Sequence, residues 1–218
     1  MTRNKPSCST WRLYVIVDRA AAGTRDLAEL ADAAIRGGAD VIQVRDKTAS
    51  TRQLLDEASR VRVVTRNAGI PLIINDRADV AHAAGADGVH LGQDDLSIVA
   101  ARAILGPNRI IGRSTHSLEQ AISAELDGAD YLGVGPIFST PTKPDSPSVG
   151  LDLIRQVALR VQIPFLCIGG IDATNLQQIL STSAERIAVV RAVCASADPQ
   201  EAAAALKHQL TARHHTAH

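Results

Sequence analysis

The sequence predicts an α/β protein built as a single-domain (β/α)8 TIM barrel, and three observations predict it. Eight short apolar runs are separated by segments with helical periodicity, strand and helix alternate strictly, and the polar residues gather just after the strands. The composition agrees: 45% of the 218 residues are hydrophobic but only 2% are aromatic. The core must therefore be built from Ala, Val, Ile and Leu, as in parallel sheets covered by helices. A chain of this length holds one large domain or two small ones, and the unbroken alternation favours one.

The runs in order are Leu13 to Val17, Val41 to Val44, Leu72 to Ile74, Gly88 to Leu91, Ile110 to Gly112, Tyr131 to Val134, Phe165 to Ile168 and Arg186 to Val190. Between them, Leu27, Leu30, Ala31, Ala34 and Ile35 recur near a 3.6-residue period. So do Leu54, Leu55, Ala58, Val61 and Val64, and later Leu151, Ile154, Val157 and Val161. An internal echo supports the layout. Gly38-Ala39-Asp40, Gly85-Ala86-Asp87 and Gly128-Ala129-Asp130 each close a helix and precede a strand, with Gly suited to a left-handed position. No Gly-x-Gly-x-x-Gly turn follows the first strand, which argues against an open doubly wound sheet. The expected division is a flexible segment over 1–10, the catalytic barrel over 11–210 and a flexible tail over 211–218. The histidines of that tail, from Arg213 to His218, read as a frayed end rather than a metal site.

Lys plus Arg balances Asp plus Glu at 23 each, without a long basic run. That excludes nucleic acid and anionic membrane surfaces as favoured partners and leaves small molecules. Cys8, Cys167 and Cys194 lack metal-like spacing and read as inert packing in a reducing compartment. No stretch reaches the roughly 20 apolar residues of a bilayer span, and the polar start lacks a secretory signal's apolar segment. A soluble, cytoplasmic protein is expected, with homodimerisation left open.

The strand ends supply the candidate chemistry. Gln43 and Arg45 share one face of the second strand, and Lys47 lies just beyond within Gln43-Val44-Arg45-Asp46-Lys47. This is either an anion grip or a solvated charge cluster. Asn75-Asp76 and Asp94-Asp95 follow adjacent strands; they are either hard oxygen ligands for Mg²⁺ beside a substrate phosphate or helix N-caps. The long loop from Gly135 to Gly150 carries Thr140, Pro141, Thr142 and Lys143, suited to wrapping a phosphate. Gly169 and Gly170 serve either a phosphate grip or a tight turn. His90 reads as a packed, supporting histidine; His116, near Ser114, is a proton shuttle or part of a helix start.

Together, Gln43-Val44-Arg45-Asp46-Lys47, Asn75-Asp76, His90-Leu91-Gly92-Gln93-Asp94-Asp95, Ser114-Thr115-His116, Gly135-Pro136-Ile137-Phe138, Thr140-Pro141-Thr142-Lys143 and Ile168-Gly169-Gly170-Ile171 closely resemble the thiamine phosphate synthase family. The resemblance spans about Leu13 to Leu206. It implies a transferase that joins 4-amino-2-methyl-5-hydroxymethylpyrimidine diphosphate to a thiazole phosphate, releasing diphosphate. It also implies that Gln43, Arg45, Lys47, Asn75 and Lys143 hold the pyrimidine diphosphate, with Val44 and Asp46 in the same binding stretch. Asp76 and Asp95 would coordinate Mg²⁺, and Ser114 would contact the pyrimidine. Thr140, Pro141 and Thr142, with Gly170, Val190 and Arg191, would hold the thiazole phosphate. Arg45, Lys47, Lys143 and Ser114 would carry the catalytic step. Arg191 departs from the Ser often found there in the family. The rivals are a thiazole tautomerase-like isomerase, which needs no diphosphate site, and a non-catalytic barrel that binds a thiamine precursor.

Overall fold

Strands covered on both faces need no polar alternation, and the strands of this chain are buried almost throughout. In the computed structural model, which describes residues 7–142 and 147–212, they close into a barrel of eight parallel strands in sequential order. The elements are β1 (Leu13–Asp18), α1 (Arg19–Ala22), α2 (Leu27–Arg36), β2 (Val41–Arg45), α3 (Thr51–Ala68), β3 (Leu72–Asn75), α4 (Ala78–Ala83), β4 (Gly88–Leu91) and α5 (Ile98–Leu105). There follow β5 (Ile110–Thr115), α6 (Leu118–Leu126), β6 (Tyr131–Val134), α7 (Gly150–Arg160), β7 (Phe165–Ile168), α8 (Leu176–Leu180), β8 (Ile187–Val189), α9 (Arg191–Cys194) and α10 (Pro199–Ala212).

The expected strands are present, with instructive differences at their ends. β5 runs on to Thr115 because Arg113, Ser114 and Thr115 continue in register with Leu132, Gly133 and Val134 of β6. β8 stops at Val189, where Val190 turns the chain into α9. Neither α1 nor α9 was signalled by periodicity, since four residues barely complete one 3.6-residue turn.

Two apolar layers follow from the alternation of side chains along each strand. Leu13, Val15, Ile42, Val44, Ile74 and their equivalents face outward into the helices. Tyr14, Ile16, Ile73, Ile110, Tyr131 and Leu166 fill the interior. Glycine makes room there: a Cβ on Gly112 would lie 2.1 Å from Tyr131 Cζ. Trp11 closes the end from which the strands start, its ring 5.3 Å from that of Tyr131, and Cys8 in the preceding turn is only 7% exposed. Residues 8–10, expected in a flexible segment over 1–10, thus form a turn whose Cys8 packs against the barrel. At the other end, α10 runs to Ala212, so residues 211 and 212, expected in the tail, are helical; Arg213 to His218 and their histidines lie outside the described residues. Cys8, Cys167 and Cys194 are buried thiols. Burial pushes the Cys167 thiol up to about 12 and that of Cys194 up to about 11, as suits packing rather than nucleophilic use. Among the described residues, no helix is long and apolar enough to cross a membrane.

The Gly-Ala-Asp echo has a structural meaning that the sequence did not disclose. The three glycines have φ of 96°, 63° and 89°, turning each helix end toward the next strand. Each aspartate then ties down the start of the preceding strand in the barrel. Asp40 accepts from the Arg12 and Leu13 amides, Asp87 from Leu72 and Asp130 from Ile111. Lys207, Arg62 and Arg102 neutralise the three carboxylates in turn. Removing Asp87 takes this acceptor from the buried Leu72 amide and this counter-charge from Arg62. Asp87→Ala is therefore expected to lower unfolding free energy by about 1–3 kcal/mol, measured by urea titration, while leaving the Michaelis constants unchanged because this end is remote from the strand ends that carry the candidate site.

Candidate active site

Loops at the C-terminal ends of the strands enclose a cavity of about 630 Å³, the size of a small-molecule site. Gln43, Arg45, Asn75, His90, Ser114 and His116 line one side, and residues 139–142 of the β6–α7 loop, Gly169, Gly170, Val190 and Arg191 line the other.

Arg45 ends β2 in register with Asp18, the last residue of β1. The two side chains form an ion pair in which Asp18 is 2% exposed. Asp18 also accepts from the Ala21 amide at 2.9 Å, capping α1. The guanidinium is thereby anchored through one nitrogen and keeps further donors for an anion in the cavity it lines. Asp18 was missing from the sequence reading, although applying the strand-end rule to the first strand would have found it.

Lys47, Asp76 and Asp95 form a second cluster beside Asn75. Lys47 pairs with Asp76, and the Asp76 and Asp95 carboxyls are in hydrogen-bonding contact. Burial, then the adjoining Asp95, push the Asp76 carboxyl above its ordinary value against the pull of Lys47. Burial also acts to raise Asp95, but the bond with Asp76, the Gly92 amide and the charges of Lys47 and Arg113 outweigh it, and Asp95 sits low. Capping does not account for either residue: Ser97 caps α5, and α4 has no side-chain cap. Asp76 is moreover the one non-glycine among the described residues with positive φ, at 62°, a conformation that costs energy and is held in place by its surroundings. Two carboxyls forced together in this way suit a hard divalent cation completed by phosphate oxygens and water. Among the described residues, no group of three His, Cys, Asp or Glu side chains could hold a metal by itself.

Ser114 projects inward from β5 and its Oγ lies 2.9 Å from His90 Nε2. Arg113 points the other way, as alternation requires, and donates to the Leu96 and Gln93 carbonyls. It thus braces the loop that carries Asp95. His116 bonds the Gly135 carbonyl through Nδ1 and takes the Gln120 side chain on its amide; the next helix is capped by Ser117.

The β6–α7 loop begins by lying along the end of β7, with the Ile137 and Phe138 amides bonded to the Ile168 and Gly169 carbonyls. Such an approach excludes side chains. A Cβ on Gly169 would lie 2.4 Å from Pro136 Cβ, and one on Gly170 2.6 Å from the Ser139 carbonyl oxygen, with φ of 101° and 64° at the two glycines. The glycines therefore serve a tight packing that brings Thr140, Pro141 and Thr142 to the cavity wall.

Some expected site residues lie elsewhere. Val44 is fully buried and faces the helices, because it alternates with Gln43 and Arg45. The Asp46 carboxylate is engaged by the Thr48 amide and hydroxyl and the Ala49 amide, shaping the turn before α3. Lys143 lies outside the described residues. Arg191, at the start of α9, is exposed and lines the cavity.

A closed (β/α)8 barrel with an anchored cation, a forced carboxyl pair and a threonine-bearing loop at its strands' C-terminal ends has the build of an enzyme that acts on small molecules. The family model described as thiamine monophosphate synthase matches residues 13–193, and this chain belongs to that family. A thiamine-phosphate synthase of Chloroflexus aurantiacus is 50% identical over 198 residues, covering 90% of this chain and 91% of the relative. One from Thermobifida fusca is 48% identical over 203 residues, covering 92% and 93%. Among solved structures, thiamine phosphate pyrophosphorylase from Pyrococcus furiosus superposes with a TM-score of 0.84 at 40% identity, covering 92% of this chain and 95% of that one.

Proposed function

We propose that this chain is a thiamine phosphate synthase that condenses the pyrimidine diphosphate with a thiazole phosphate, forming thiamine phosphate and releasing diphosphate. The observation that carries the reading is the carboxyl pair Asp76–Asp95 held beside Lys47, a short distance along the chain from the anchored Arg45. An isomerase of a thiazole phosphate has no use for such a cluster.

The bond from the pyrimidine's exocyclic carbon to the diphosphate oxygen breaks, its electron pair leaving with the diphosphate. The aminopyrimidine ring stabilises the resulting cation, and the thiazole nitrogen lone pair forms the new bond. No protein nucleophile is required. Arg45 and Lys47 supply positive charge where negative charge accumulates, and Arg45 does so from a position already set by Asp18. Lys143, outside the described residues, is assigned the same role from the sequence. Asp76 and Asp95 would hold Mg²⁺, which when bound offsets charge on the departing diphosphate. Gln43, Asn75 and Ser114 orient the pyrimidine, while Thr140, Pro141, Thr142, Gly170, Val190 and Arg191 receive the thiazole phosphate. Arg191 adds a charged fork of donors at that end. Excluding water from this site keeps the cation from being trapped as the alcohol.

The test supplies both substrates with Mg²⁺ and then with EDTA, following diphosphate and thiamine phosphate. Equal formation of both products, abolished by EDTA, is expected. Absence of product from folded protein would overturn the synthase reading, and product formation undiminished by EDTA would overturn the metal assignment.

A further inference from the structure

A chain of polar side chains crosses the apolar barrel interior. Gln43 Nε2 donates to Tyr14 Oη at 2.7 Å; Tyr14 Oη and Tyr131 Oη are 2.9 Å apart. Tyr131 Oη is 2.9 Å from His90 Nδ1, and His90 Nε2 is 2.9 Å from Ser114 Oγ. Gln43, Tyr14 and Tyr131 are each 2% exposed or less, so an unused donor here would be costly. Both phenols are held well above their ordinary value by burial; each keeps its single proton, and the protons can be counted.

Tyr14 accepts from Gln43, so its own proton goes to Tyr131. Tyr131 must then send its proton onward to His90 Nδ1. An imidazole that accepts at Nδ1 and is neutral carries its proton on Nε2, which donates to Ser114 Oγ. The serine hydroxyl, already accepting from His90, cannot send its proton back there and has it left for the cavity. We propose that Tyr14, Tyr131 and His90 are positioning residues forming a one-directional relay, which locks His90 as the Nε2–H tautomer and makes Ser114 a donor toward the substrate.

The pyrimidine as that substrate rests on the synthase reading. The polarity suits it: the relay uses the Gln43 nitrogen and leaves its carbonyl as an acceptor, while Ser114 offers a donor. An aminopyrimidine presents the complement, an amino N–H beside an accepting ring nitrogen. The imidazole is also held by packing. Its ring centroid is 5.4 Å from that of Tyr131, and a Cβ on Gly133 would lie 3.2 Å from its Cε1. Turning the Gln43 amide over would reverse every bond in the relay and make Ser114 an acceptor.

The direction is readable without substrate. In wild-type protein labelled with ¹⁵N-histidine, with His90 assigned by its loss in His90→Gln, the shifts are expected to show an Nε2–H tautomer. An Nδ1–H tautomer or an imidazolium would overturn the proposal. Tyr131→Phe removes the bond that sets the tautomer and frees Ser114 to donate to His90. The Michaelis constant for the pyrimidine diphosphate is then expected to rise roughly 10-fold, while that for the thiazole phosphate stays unchanged. An unchanged pyrimidine constant, or an equal rise in both, would overturn the relay's role. If Tyr131→Phe does not fold, the wild-type tautomer decides alone. Since that signal needs no turnover, failure of the relay and failure of the synthase reading are distinguishable.

Discussion

Replacing Asp76 or Asp95 by Asn is expected to lower Mg²⁺-dependent turnover by about 10²–10³-fold, the scale of losing a preorganised electrostatic contact at a reacting anion. Asn is the informative substitution because it keeps each residue's local role. At position 76 it tolerates the positive φ of 62° better than most residues. At position 95 its carbonyl can still accept from the Gly92 amide, now 2.6 Å from the Asp95 carboxylate. What changes is charge and hardness toward the cation. The sign of the stability effect follows from the raised Asp76 carboxyl. An acid whose folded-state value exceeds its unfolded one costs stability at pH above that value, and the cost disappears as pH falls through it. Asp76→Asn should therefore melt no lower than the metal-free parent at neutral pH. Turnover against Mg²⁺ concentration, beside thermal melting with EDTA, checks both parts. A variant with full activity would show that these carboxyls are not the cation's ligands.

Arg45→Ala is expected to fail twice over, in stability and in turnover. Its partner Asp18 is 2% exposed, so deletion leaves a buried carboxylate without its cation, at a cost of about 3–5 kcal/mol. The diphosphate also loses a fixed positive charge, with a fall in kcat/KM on the order of 10²–10³-fold. The two losses separate in the double variant Asp18→Asn/Arg45→Ala. Neutralising Asp18 should restore most of the unfolding free energy in urea while leaving the catalytic loss in place. Recovery of activity together with stability would mean that Arg45 acts only as a structural partner.

Legibility varied with the range of the interaction. The eight strands and the face on which the site lies could be read because alternation and periodicity are local, and because the barrel gives all its strand ends one destination. Gln43, Arg45, Asn75 and Ser114 reach the cavity for the same reason. Val44 was carried along with its neighbours, although the two-residue period that places Gln43 and Arg45 inward sends it outward. Asp46 resembled a site residue by charge and belongs to a turn. The Gly-Ala-Asp echo was visible as punctuation, but its aspartates act on strands that lie 15 to 28 residues away.

By itself the sequence determined the fold class, the order of the eight strands and the strand-end residues that carry the resemblance, since each depends on patterns a few residues long. Only the tertiary structure decided that Asp18 anchors Arg45, that Asp76 and Asp95 are pressed together, and that Tyr14 and Tyr131 meet across the interior although 117 residues separate them. Those relations come from barrel closure, which brings distant segments into hydrogen-bonding range, where burial makes each pairing count.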